Sequence, residues 1–176
     1  MNQLDAYNSI TEGSDDNKID ALYYSDDEDE LSELVIIQSK YKNEYGATGT
    51  FDDDEIKLCI ESCKKILSGK DFQKTNSKLE KKITSYRELL RENSNPPISI
   101  KLFFSTNGII SKEHKELNEV KECQYLNIYP VFIDATKFSE SPKQKDGYID
   151  VNIKSNDDKT DSIFVTNSGF RGKLVS

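Results

Sequence analysis

The chain has no tryptophan, one methionine, one histidine, three cysteines and four prolines in 176 residues, and each scarcity closes off a class of protein. Three cysteines, Cys59, Cys63 and Cys123, cannot all pair within one chain. A disulfide-stapled secreted scaffold is therefore excluded, and a reducing, cytoplasmic setting is the expectation. With His114 the lone histidine, and no serine or cysteine beside it suggesting a nucleophile pair, acyl-transfer chemistry has no footing; a solvent-side or helix-capping role is expected of it. Long apolar runs are missing too. The longest, such as Leu34–Ile37 and Leu102–Phe104, fall far short of the roughly 20 residues a membrane-spanning helix needs. No basic segment followed by an apolar one opens the sequence, and no glycine-rich phosphate loop occurs in it.

Charge is plentiful but unevenly spread. The net charge of −8 argues at first against nucleic acid, whose phosphates are met by Lys and Arg. Residues 1–60, however, hold 16 of the 32 acids and 4 of the 24 bases, leaving residues 61–176 with 20 bases against 16 acids. Much of the acidity lies in Asp26-Asp27-Glu28-Asp29-Glu30. Mutual repulsion marks that run as a solvated turn, and it lacks the alternation, central glycine and closing glutamate of a calcium loop.

Residues 1–18 mix Asn, Ser, Gly and Asp without a sustained period and read as a loosely ordered lead-in. Ile19–Tyr24 and Glu33–Ser39 flank the acidic run as the two strands of a hairpin, the second apolar enough to be central and covered on both faces. Thr50 with Asp53 begins a helix reaching about Ser68, whose stripe includes Ile56, Cys59, Ile60, Cys63 and Ile66. A second helix starts at Ser77 with Glu80 and stops before Pro96-Pro97. Strand Ile98–Ser105, a turn at Thr106-Asn107-Gly108, a third helix from Ser111 to about Glu122 and an edge strand Leu126–Ile133 containing Pro130 complete the core. The order predicts an α/β fold with a mixed sheet flanked by helices over residues 19–137. Residues 138–176 are a polar tail with a hairpin of Tyr148–Ile153 and Ser162–Thr166, expected to begin a second domain that the chain does not complete.

Metal-assisted phosphodiester chemistry needs an acid to hold a hard cation, a second oxygen donor, and a cation to steady the phosphate or the attacking water. Asp20 on the first strand, with Gln38 and Lys40 two residues apart on the second, supplies these types on one face if the strands pair. The plainer alternative is a strand-edge acid and the polar finish of a buried strand. Basic faces on the two long helices, including Lys64, Lys65, Lys78, Lys81, Lys82, Arg87 and Arg91, have the types for nucleic acid, though a solvated helix surface is the favoured explanation. Cys59, Cys63, Cys123 and His114 have the types for zinc, but Cys59 and Cys63 belong to the apolar stripe, which favours packing.

Asp15-Asp16-Asn17-Lys18-Ile19-Asp20-Ala21-Leu22-Tyr23-Tyr24, the acidic turn and Val35-Ile36-Ile37-Gln38-Ser39-Lys40-Tyr41-Lys42 resemble the N-terminal region of the abortive infection phage resistance (AIPR) family. Lys101-Leu102-Phe103-Phe104-Ser105-Thr106-Asn107-Gly108 and Ser111–Leu117 continue the resemblance in order over roughly residues 12–135. It implies a restriction-endonuclease-like core of the Mrr type. In such a core Asp20 would be the metal-holding acid, Gln38 the replacement for a second acid and a further metal ligand, and Lys40 the catalytic lysine. Ser39 contributes only backbone, and the implied cofactor is magnesium or manganese. Nucleic acid, DNA or RNA, is the implied substrate, with a protein partner or a second copy as the other expected associations. Two departures stand out. Asn17-Lys18 occupy positions where the family often has glycine, and residues 1–18 are too short and polar to supply the superfamily's first helix in full, which leaves Glu12 as the nearest additional acid. A shortened or fragmentary core, catalytically weakened and acting as a binding module, is the alternative expectation.

Overall fold

A computed structural model describes residues 3–25, 32–94, 96–140, 148–154, 160–166 and 169–170. Two compact units divide the chain, Met1–Phe138 and Ser139–Ser176. The first contains a four-stranded sheet in the order β1 (Ala21–Tyr24), β2 (Glu33–Lys40), β3 (Ser99–Thr106), β4 (Ile128–Ile133). β1 runs antiparallel to β2, whereas β2–β3 and β3–β4 are parallel. Pro130 lies on edge strand β4, where its missing N–H is tolerated.

The parallel pairs need crossovers, and the long helices supply them: α2 (Asp53–Leu67) and α3 (Ser77–Glu92) connect β2 to β3. Asp52 caps α2, accepting the Glu55 N–H at 2.8 Å while Glu55 accepts the Asp52 N–H at 3.3 Å. This reciprocal box starts the helix two residues later than the Thr50–Asp53 pattern suggests, because the Thr50 hydroxyl is spent on the Ile109 carbonyl at 3.0 Å. Asn76 caps α3 through the Leu79 N–H, and Gly69, at φ 67°, follows the last turn of α2.

Both helices bury their stripes on one face of the sheet. Ile56, Cys59, Ile60, Cys63, Leu79, Ile83 and Tyr86 meet Leu22, Leu34, Ile36, Ile100, Leu102 and Phe104 in a single core. A fully buried Ile or Leu contributes roughly 1.5–3 kcal/mol to such a core. The opposite face does not bear out the expectation that β2 is covered twice. Tyr23, Val35, Ile37, Phe103, Val131 and Ile133 are only partly buried, and right-handed crossovers from β2 to β3 and from β3 to β4 place the connecting helices on the same side.

Two other expectations are corrected. The third helix breaks into α4 (Lys112–Lys115) and α5 (Asn118–Glu122), because Leu117 takes an extended ψ of 145° and has no side chain able to cap the new start. Residues 1–18 are not merely a loose lead-in. They include α1 (Gln3–Asn8), and the chain beyond it is stitched to the sheet edge by the Ile10–Ala21 bridge, with Ser9 and Thr11 buried. A short α6 (Ala135–Glu140) follows β4. The second unit contains a three-stranded antiparallel sheet of β5 (Tyr148–Lys154), β6 (Thr160–Thr166) and β7 (Gly169–Phe170), one strand more than the expected hairpin.

Candidate active site

In open α/β sheets, ligands gather beyond the carboxyl ends of the parallel strands. Asp20 reaches that end because β1 is antiparallel. The Ala21–Ile37 pairing puts Asp20 immediately beside Gln38 near the end of β2, with the Asp20 N–H donating to the Ile37 carbonyl at 2.9 Å. Alternation along β2 then directs Leu34, Ile36, Gln38 and Lys40 to one face, the first three of them buried.

Three donors converge on one oxygen of Asp20. The Ser39 N–H reaches Oδ2 at 2.5 Å, the Gln38 amide nitrogen at 3.1 Å and the Ser39 hydroxyl at 3.3 Å. Burial raises the Asp20 pKa above the ordinary carboxylate value; the Ser39 N–H opposes this, and the like charges of Asp16 and Glu12 push it further up. Glu12, the acid singled out in the sequence, therefore does act on Asp20 electrostatically. Its own N–H donates to the Asp20 carbonyl at 3.1 Å.

Lys40, two residues beyond Gln38, makes a short ion pair with Glu55 in the first turn of α2, and Lys18 reaches the other oxygen of Glu55 at 3.5 Å. Burial disfavours the Glu55 charge, but the bond from Lys40 and the N–H of Asp52 outweigh it, so the pKa of Glu55 lies below its usual value. The arrangement thus brings Asp20 and Gln38 into direct contact and sets Lys40 beside them on the same strand face, held by a residue that the sequence did not single out. In the sequence Glu55 is legible only as the last of four consecutive acids, Asp52 to Glu55, at the positive end of a helix.

The loop before Asp20 is bent to fit. Asp15, Asn17 and Lys18 all adopt positive φ, at 59°, 55° and 63°, a region that costs a non-glycine residue roughly 1–2 kcal/mol. These include the two positions where the resemblance leads one to expect glycine. Side chains hold the bend: the Asn17 amide donates to the Lys74 carbonyl at 2.9 Å and the Ser62 hydroxyl to the Asn17 carbonyl at 2.8 Å.

A magnesium or manganese ion takes hard oxygen donors, and Asp20 with the side-chain oxygen of Gln38 offers that chemistry. Gln38 Oε1 is buried and has no hydrogen-bond partner, a condition costing about 1–3 kcal/mol. The Gln38 amide turns its nitrogen, not this oxygen, toward Asp20, so in this orientation the two oxygens do not face a common point. Magnesium is commonly held by one or two carboxylates plus water and phosphate oxygens, so the donors fit in type. Their number is small: among the described residues no three His, Cys, Asp or Glu side chains are grouped to hold a metal ion.

The zinc types seen in the sequence do not assemble. Cys59, Cys63 and Cys123 are buried and unpaired, the Cys59 thiol donates to the Lys18 carbonyl at 3.1 Å, and His114 Nε2 lies 3.2 Å from Asp53. No known family model, curated protein or solved structure matches the chain.

Proposed function

We propose that the chain is a metal-dependent nuclease module with a restriction-endonuclease-like core, hydrolysing nucleic-acid phosphodiesters in a phage-defence setting of the abortive-infection type. The observation that carries this reading is the junction of Asp20 and Gln38 on one strand pair, with Lys40 on the same face at the carboxyl end of the sheet. Asp20 and Gln38 would hold magnesium or manganese, which when bound lowers the pKa of a water and offsets phosphate charge. Lys40 lies where its ammonium can meet a phosphate oxygen, and Glu55 aims it. Ser39 fixes the Asp20 carboxylate through backbone and hydroxyl, so the acid does not have to reorganise. Hydrolysis forms one P–O bond from water and breaks the bond to the leaving oxygen, which takes up a proton. Unpaired cysteines are in keeping with a reducing cytoplasm, and no helix among the described residues is long and apolar enough to cross a membrane.

The test is cleavage of single- and double-stranded DNA and RNA with magnesium or manganese. Asp20→Ala and Lys40→Ala should each lose at least ~100-fold in rate; unchanged cutting by both removes these residues from the reaction. A second reading, a non-catalytic binding module of the same fold, is favoured by the pairing of Lys40 with Glu55, which neutralises the ammonium. It predicts nucleic-acid or protein binding with no metal-dependent cutting in the wild type.

A further inference from the structure

A groove of about 490 Å³ runs between α1, β1 and α3, away from the Asp20–Gln38 contact. Lys78, Lys81 and Lys82 of α3 line one wall, and Tyr7, Ile10 and Tyr24 contribute apolar surface and aromatic rings. Lysines at i, i+3 and i+4 share one helix face and extend over about 6 Å of axis. That is close to two nucleotides of a strand at about 3.4 Å each. Among the described residues that line the groove none is acidic.

The aromatic side of the groove narrows the choice of polyanion. Tyr7 leaves 73% of its surface open beside the lysines, so its ring face is accessible from the groove. The Lys82 ammonium lies over the Tyr24 ring, 5.3 Å from its centre, which fixes a cation beside an apolar plate. Phosphate-binding cations interleaved with rings are the combination that holds single-stranded nucleic acid, where unpaired bases offer faces for stacking. Duplex bases are already stacked, and an acidic peptide has no use for the rings.

Position links the groove to the proposed site. Ile10 pairs with Ala21, the neighbour of Asp20. The start of α3 is tied to the same corner by Asn76, whose amide donates to the Thr11 carbonyl at 2.9 Å and whose N–H donates to Asp15 at 3.0 Å. Ile10 and the start of α3 are therefore both tied by backbone and amide hydrogen bonds to the segment that carries Asp20.

We propose that this groove binds a single strand of nucleic acid, its phosphates on Lys78 and Lys81 and a base against Tyr7, leading the strand toward Asp20. This deepens the nuclease reading and rests on it for the course of the strand toward Asp20, while the groove itself is tested without cleavage. The probe is a fluorescein-labelled oligothymidylate of about 12 nucleotides, titrated with the full chain in EDTA and read by fluorescence anisotropy.

Lys78→Glu/Lys81→Glu should weaken binding at least tenfold and make the slope of log affinity against log salt shallower by about 1.4, at about 0.7 per lost phosphate contact. Tyr7→Ala should weaken binding about fivefold with the salt slope unchanged, and a duplex of the same length should bind more weakly than the single strand. Lys78→Gln/Lys81→Gln, with thermal unfolding compared to wild type, provides the same test should the charge reversal disturb folding. Wild-type affinity in both the lysine and the Tyr7 variants overturns the proposal. So does displacement of the oligonucleotide by polyglutamate as effective as by unlabelled oligothymidylate, which would mark an acidic-peptide site. Because divalent ions are chelated, failure of the groove is separable from failure of the Asp20 site, which is read only as metal-dependent cutting.

Discussion

Asp20 and Asp134 stand at opposite edges of the same sheet, one just before β1 and the other just after β4, both at the carboxyl end of the parallel strands. Their surroundings differ sharply. Asp134 is 1% exposed and fully matched. Lys115 Nζ is 2.8 Å from Oδ2, the Ile110 N–H donates to the same oxygen, and the Thr136 N–H and hydroxyl donate to Oδ1. Burial alone would raise its pKa, but these partners hold it at about 2. Asp20 has neutral donors only, acidic neighbours, and a pKa raised by burial. One carboxylate is a finished structural joint, and the other stores unspent negative potential, the property expected of a site that gains a cation in use.

The largest effect should come from breaking the finished joint. Asp134→Ala leaves Lys115 and two backbone donors without their acceptor, and we expect a loss of about 3 kcal/mol in urea unfolding. A loss under 0.5 kcal/mol would erase the contrast between the two edges. The wild type should also lose about 2 kcal/mol as pH falls from about 4 to about 2. An acid whose folded pKa is depressed stabilises the fold above its unfolded value and ceases to do so as it takes up its proton. Asp134→Asn should flatten that part of the stability–pH curve.

Glu55→Gln comes next. It keeps the shape of the α2 capping box but weakens the hold on Lys40 and Lys18, and a loss of about 1 kcal/mol is expected from chemical denaturation. Asp20→Asn should act in the opposite direction to Asp134→Asn, raising stability at pH 7 by about 0.5 kcal/mol. The raised folded pKa means that the penalty accrues as pH climbs through it, so the advantage should close toward the acid range. An Asp20→Asn variant less stable than wild type at pH 7 would show that Asp20 is as satisfied as Asp134. The smallest effect is that of Lys18→Gly. Relief of the positive φ competes with loss of the 3.5 Å contact to Glu55, leaving a net gain of a few tenths of a kcal/mol by thermal unfolding.

What could be read from the sequence depended on range. The shared face of Gln38 and Lys40 follows from period-two alternation, and the apolar stripe of α2 from a 3.6-residue period; both are local and both are found. The placement of Pro130 on an edge strand follows equally from its missing donor. The break at Leu117 was hidden because Ser111 and the charges after it form a good helix start, and nothing nearby announces an extended ψ. The order in residues 3–18 was hidden for another reason. Ser9, Thr11 and Asn17 look like loop residues, and their partners at Leu22, Ile19 and Lys74 are set by tertiary folding. Glu55 was the costliest omission. Its reach to Lys40 depends on how residues 41–52 travel, and no local period encodes that path.

That path is governed from a distance by Gly108. A Cβ added there would lie 2.2 Å from Thr50 Cγ2 and 2.5 Å from the Ala47 carbonyl oxygen, the segment whose carbonyl also accepts the Ile109 N–H at 2.8 Å. A methyl group cannot be admitted without moving the strap that sets the start of α2. In a screen for loss of function, Gly108→Ala would score beside Lys40→Ala although it contacts neither substrate nor ion. Mutational sensitivity at this glycine would then map the route by which the lysine is aimed, marking a tolerance boundary drawn by backbone proximity.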